Sequence, residues 1–175
     1  LGKGAYGNVY EAYSKQYCTT FALKVIRKEE AYIRAGLKEI CTLKKISKIN
    51  SEVSRHTLIF VDDFFFKGHL VLVFEKLDIS LLDFLEGTDY CGMRIIDISY
   101  LCKQILETLQ IVHSNDIIHA DLKPENILFI KYRFFVKLEK KIFQLKLLTG
   151  VQPLVKTQNY TIIFNLVSIE LLKYF

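Results

Sequence analysis

The sequence predicts an α+β fold: a small N-terminal sheet carrying one helix, followed by a helical part. Three observations predict it. Apolar runs of strand length, Thr20–Ile26, Leu58–Phe66 and Leu70–Phe74, all lie in the first half of the chain. Two longer segments, Ala31–Ile46 and Ile98–His113, repeat apolar residues at helical spacing. After Phe74 the pattern turns helical, so most strands come first and most helices after.

The composition suits a single globular core. Half of the 175 residues are apolar, a quarter are charged, and only two are Pro. The net charge of +5 is spread along the chain, which reads as a solvated surface and gives no ground for direct nucleic-acid binding. Cys18, Cys41, Cys91 and Cys102 have neither C-x-x-C spacing nor His partners at metal-ligand distance. Reduced thiols in an intracellular protein, nuclear or cytoplasmic, are expected. No signal peptide opens the chain as given. The most apolar tract, Tyr160–Phe175, is short and broken by Asn165, Glu170 and Lys173, so no membrane span is expected.

The first element is LGKGAYGNV, Leu1 to Val9. Gly2, Gly4 and Gly7 make G-x-G-x-x-G, and Val9 extends the pattern. Glycines here let backbone N–H groups approach phosphate and take up φ > 0. Dinucleotide-binding folds share this motif. Two features argue against them: the chain stays strand-like from Asn8 to Tyr13, and no acidic residue sits where a ribose-binding Asp would end a second strand. A β-hairpin lid over ATP is therefore expected.

Next comes TFALKVI, Thr20 to Ile26, an apolar strand interrupted by one cation, Lys24. Phe21-Ala22-Leu23-Lys24 follows the V-A-I-K pattern at a suitable distance after the glycines, which points Lys24 at the α- and β-phosphates. Such a Lys needs a carboxylate to hold it. In the Ala31–Ile46 helix, Ile33, Leu37, Ile40, Leu43 and Ile46 form the apolar stripe, and Glu39 lies beside it. The residues three and four positions from Glu39 are Ala35, Gly36, Thr42 and Leu43, so no cation in the helix competes for it. Glu29 and Glu30 are expected to precede the helix.

Leu58–Phe66 and Leu70–Phe74 read as a strand pair turned by Lys67-Gly68-His69. Glu75-Lys76-Leu77 then leaves the strand as a hinge whose backbone would meet the adenine edge, with Phe74 behind the pocket. Ser80–Leu85 starts the helical part. The Ile98–His113 helix has a wide stripe, from Ile98 and Leu101 through Cys102, Ile105, Leu106 and Leu109 to Val112. That width suggests a buried helix.

It delivers the chain to IIHADLKPENILF, Ile117 to Phe129. Asp121 and Asn126 stand five residues apart with Lys123 between them and His119 ahead: H-x-D-x-x-x-x-N. Phosphoryl transfer needs a carboxylate to orient the attacking hydroxyl and take its proton, and Asp121 supplies it. Asn126 offers a neutral oxygen to Mg²⁺, Lys123 a positive charge near the γ-phosphate, and Pro124 stiffens the loop.

These motifs together resemble the eukaryotic protein kinases from Gly2 to Phe129. The resemblance implies an incomplete two-lobed kinase fold: an N-lobe over residues 1–76, a partial C-lobe over 77–143, and a tail over 144–175 unlike a kinase. LKPEN after Asp121 resembles the Ser/Thr type. FFFKGHLVLVFEKLDISLLDFLE, Phe64 to Glu86, with HADLKPENILF most resembles the LAMMER or CDC-like dual-specificity kinases, with YAK-type kinases next. It implies ATP and Mg²⁺ as cofactors. It also implies a nucleotide site of Gly2, Gly4, Gly7, Val9, Ala22, Lys24, Glu39, Phe74, Glu75, Leu77 and Leu128, with Asn126 as metal ligand. Protein substrates are implied, Arg-Ser-rich splicing factors among them. Ala120 stands where most regulated kinases have an Arg that senses a phosphorylated activation loop, so that mode of control is not expected.

The resemblance breaks after Phe129. A kinase should reach D-F-G, yet no Asp follows Asp121 anywhere. In a shifted reading frame, permitted codons from Gln144 can be chosen to spell I-K-I-I-D-W-G-S-A, and those from Gln158 to Tyr174 a string ending A-P-E-I. The frame is therefore expected to be lost near Lys141 to Gln144, by a sequencing error, a missed intron or a mutation. The chain, which opens inside the glycine motif, reads as a fragment or incomplete gene model.

Overall fold

The computed structural model describes residues 2–4, 7–49, 57–130, 145–147 and 151–153. Its first half is an antiparallel sheet of β1 (Gly2–Gly4), β2 (Gly7–Ser14), β3 (Thr19–Ile26), β4 (Phe60–Phe66) and β5 (His69–Glu75), in the order β1-β2-β3-β5-β4. β5 lies between β3 and β4, and Leu70 to Phe74 are all buried. Lys67 and Gly68 both have positive φ, 47° and 80°, the requirement of the tight turn that follows the sheet's twist. His69, expected in that turn, already belongs to β5, and its Nδ1 lies 2.7 Å from the Ile26 carbonyl oxygen.

Helix α1 (Glu30–Ile46) packs on the sheet through Ile40 and Leu43, which join Ile26, Leu70, Leu72 and Phe74 in one core. The contact is close at Gly36, where a Cβ would come within 2.9 Å of Leu70 Cδ2. That closeness explains a correction. Leu37, expected in the buried stripe, is exposed. With Gly36 at the centre of the contact, the next residue is turned about 100° away. A second correction concerns Glu30, which opens the helix instead of preceding it and pairs with Arg34 at 3.5 Å. An acid in the first turn suits the positive end of the helix dipole.

Beyond β5, Ser80 caps α2 (Leu81–Gly87). Its Oγ accepts from the Asp83 N–H at 3.0 Å and Asp83 Oδ2 accepts from the Ser80 N–H at 2.8 Å, a reciprocal box. Helix α3 (Ile95–Ser114) buries Leu101, Ile105, Leu109 and Val112 against Leu85 and Ile127. The expectation of burial all across its stripe is corrected: Leu106 is exposed and Ile98 and Cys102 are half-buried. The described elements cover one side of α3, so Ile95, Ile96 and Tyr100 also face outward.

Short pieces follow: β6 (Ile117–His119), a 3₁₀ turn (Pro124–Asn126), β7 (Ile127–Phe129), β8 (Leu145–Leu147) and β9 (Val151–Pro153). β6 pairs with β9 and β7 with β8, both antiparallel. β8 and β9 fall in the stretch assigned to the tail. Residues 131–144, where the frame is expected to fail, and Tyr160–Phe175 lie outside the described residues. The four cysteines are free, and no described helix is long and apolar enough to cross a membrane.

Candidate active site

β1 and β2 form a hairpin in which Gly4 faces Gly7 and Gly2 faces Val9; the tip, residues 5–6, is outside the described set. After Gly7 the chain runs on as a strand, as expected of a lid and not of a helix-opening turn. Gly7 is required sterically: a Cβ there would meet the Val25 carbonyl oxygen at 2.1 Å.

The next strand sets Val9 opposite Lys24. Lys24 Nζ donates to both carboxylate oxygens of Glu39, at 2.7 and 2.8 Å, so α1 supplies the expected partner. Ala22 pairs with Phe74 across β3 and β5. Phe74 is buried, stands edge-on to Phe60 at 5.8 Å, and joins Leu77 in a cluster against which Ala22 and Leu128 pack. Residues from both halves of the chain thus meet in one apolar wall. The hinge exit is fixed to β7, because the Asp78 N–H donates to the Phe129 carbonyl at 2.9 Å and the Phe129 N–H to the Ile79 carbonyl at 3.0 Å.

Asp121, Lys123 and Asn126, expected to form a catalytic loop, come together as well. Lys123 Nζ lies 3.2 Å from Asp121 Oδ1. Asn126 Nδ2 donates to Asp121 Oδ2 at 2.8 Å and to its carbonyl oxygen at 2.7 Å. With its amide nitrogen so used, Asn126 presents its oxygen as the atom able to meet a cation. His119 is buried, and its Nδ1 accepts from the Asp121 N–H at 3.4 Å, which seats the loop from below.

The protein kinase domain family matches residues 1–147. The chain belongs to the protein kinase family. That is a family of enzymes, and its match includes β8. Dual specificity protein kinase CLK2 of Mus musculus is 34% identical over 144 residues, covering 81% of this chain and 29% of that relative. Dual specificity tyrosine-phosphorylation-regulated kinase 3 of Homo sapiens is 33% identical over 128 residues, 73% of this chain and 22% of the relative. Serine/threonine-protein kinase Doa of Drosophila melanogaster is 34% identical over 132 residues, 74% and 16%. The chain spans less than a third of the length of these curated relatives. The expected membership among Ser/Thr and dual-specificity protein kinases, and the incomplete kinase fold, are met.

One charged wall residue escapes the sequence reading. Lys146, on β8, is buried and bonds to the Glu75 carboxylate of the hinge. Its signal is the same as that of Lys24, a single Lys in an apolar strand.

Proposed function

We propose that the chain carries the nucleotide site and catalytic loop of a protein kinase that transfers the γ-phosphoryl group of ATP to Ser and Thr of protein substrates. Tyr is a further acceptor suggested by the dual-specificity relatives. The observation that carries this reading is the Asp121–Lys123–Asn126 constellation, in a fold that also closes Lys24 onto Glu39. Membership of the LAMMER group, Arg-Ser-rich substrates and a nuclear or cytoplasmic location extend the proposal and rest on the resemblance alone.

The residues fit a nucleotide. The apolar wall of Ala22, Phe74, Leu77 and Leu128 suits a flat base, the G-x-G-x-x-G of Gly2, Gly4 and Gly7 suits close backbone approach to phosphates, and Lys24 meets their charge. Asp121 accepts the proton of the substrate hydroxyl as its oxygen bonds to the γ-phosphorus, and the bond from that phosphorus to the β–γ bridging oxygen breaks to release ADP. Lys123 offsets charge on the moving group. Mg²⁺, when bound, neutralises the phosphates, and Asn126 would hold it. The metal fit is partial: among the described residues no group of three or more His, Cys, Asp or Glu is placed to hold an ion.

A second reading has its own observation. Because no Asp follows Asp121, the chain as written lacks the acid that would anchor metal between the phosphates. It would then be a nucleotide-binding pseudokinase or an interaction module. A radiolabelled-ATP assay on a generic basic protein separates the readings. The chain as written should label substrate at background rate. A protein with the shifted frame restored from about Gln144, including the sequence downstream, should be active, and Asp121→Asn should cut that activity by about 10²-fold or more. If the unrepaired chain is as active as the repaired one, the missing Asp does not matter. If the repaired protein is folded, supplied with Mg²⁺ and inert, the pseudokinase reading takes over. Transcript sequence across Lys141 to Gln144 tests the frame itself.

A further inference from the structure

We infer that Lys146 is a positioning residue of the nucleotide site: from β8 it grips the Glu75 carboxylate and fixes the hinge against the β7–β8 pair, the floor of that site. The inference rests on the proposed reading only in taking the hinge as the adenine edge.

Lys146 is 5% exposed, so its ammonium has almost no water to turn to. Its partner is Glu75 Oε1. The same oxygen accepts from the Ile59 N–H at 2.8 Å, and the Glu75 N–H donates back to the Ile59 carbonyl at 3.1 Å. Glu75, the last residue of β5, is thus pinned from the sheet side by Ile59 and from the floor side by Lys146. On the floor, Lys146 stands directly opposite Leu128 in the β7–β8 pair, so both side chains leave the same face. Leu128 packs on the cluster that holds Phe74 and Leu77.

A buried ion pair is weak evidence for net stability, but removing one partner strands the other charge. Its geometric effect is clearer. The base-facing backbone from Glu75 to Leu77 cannot shift from the floor without breaking a charge-assisted bond whose Lys146 end is buried. Lys76, by contrast, meets Glu11 at 3.6 Å in a more exposed contact that holds little.

The test uses the full chain with Lys146→Met, Lys146→Arg and Glu75→Gln, read by amide hydrogen exchange without nucleotide and by the Kd for ATP. Lys146→Met should speed exchange at Lys76, Leu77 and Asp78 about tenfold relative to α3, and should weaken ATP about tenfold. Lys146→Arg should restore both. If Lys146→Met cannot be folded, Glu75→Gln keeps an acceptor for the Ile59 N–H, and its hinge exchange should rise in the same direction. Equal acceleration across the molecule would mark the pair as merely structural and overturn the inference, as would unchanged hinge exchange. If wild type fails to bind ATP while the variant still loosens the hinge selectively, the nucleotide reading falls and the positioning role stands.

Discussion

Lys24–Glu39 and Asp121–Lys123–Asn126 are both compact charged groupings, but they are held in place in opposite ways. The first joins β3 to α1 across 15 residues, and its side chains are 23% and 17% exposed. Nothing local fixes it. It exists because Ile40 and Leu43 press α1 onto β5. The second spans five residues, and the Asp121 and Lys123 side chains are 56% and 39% exposed. Here the Pro124–Asn126 turn and the bonds from the Asn126 amide set the geometry within the loop. The difference teaches that the Lys24–Glu39 pair reports on tertiary packing, whereas the Asp121–Asn126 loop can be altered with little effect on the fold.

The strongest way to break this contrast is at the core beneath the clamp. Ile40 is buried between α1 and the sheet. Ile40→Ala should cost about 2–5 kcal/mol of stability, from lost burial plus the cavity left behind. It should also weaken ATP binding although Ile40 carries no polar group. Urea denaturation and a thermal-shift titration with ATP check the two effects. A large stability loss with unchanged affinity would show that the clamp does not depend on how α1 packs.

Two smaller changes sharpen it. Lys24→Met leaves the part-buried Glu39 carboxylate without this partner and should cost about 1–3 kcal/mol as well as ATP affinity. Asn126→Ala removes two hydrogen bonds in an exposed loop and should cost under about 1 kcal/mol, while impairing any Mg²⁺-dependent turnover of the repaired chain. Unfolding curves for both variants, run beside an ATP titration, give the ranking. Equal stability losses would erase the proposed distinction between the two groupings.

The same contrast decides what was legible in the sequence. The grouping of Asp121, Lys123 and Asn126 is legible in the sequence because it is local: the three reach one another through chain geometry alone. Lys24 and Glu39 were legible because a cation in an apolar strand needs a counter-ion, and the next helix offered one beside its stripe. The cross-strand partners Val9 and Lys24, or Ala22 and Phe74, follow once the strands are placed, since alternation fixes which face each residue takes. Leu37 and Leu106 were misplaced because periodicity gives the width of an apolar face and not what covers it. Lys146 stayed hidden because its partner is 71 residues away, on an element with no local tie to it.

The smallest expected effect tests the helical half alone. His113 sits half-buried in the last turn of α3, and burial lowers its imidazole pKa from the ordinary 6.5. The negative end of the helix dipole favours the protonated ring there, but burial prevails. Below pH 6.5 the unfolded chain therefore takes up a proton that the folded chain resists. The contribution to stability is fully present above that pH and is lost as pH falls through the lowered folded value. Urea midpoints should thus decline from neutral pH to about pH 5. His113→Gln cannot titrate, so its decline should be shallower than that of wild type by the His113 share, whatever the other histidines contribute. Parallel slopes for the two proteins would mean that His113 is as well solvated folded as unfolded, and that this end of α3 is more open than the packing of Leu109 and Val112 with Ile117 indicates.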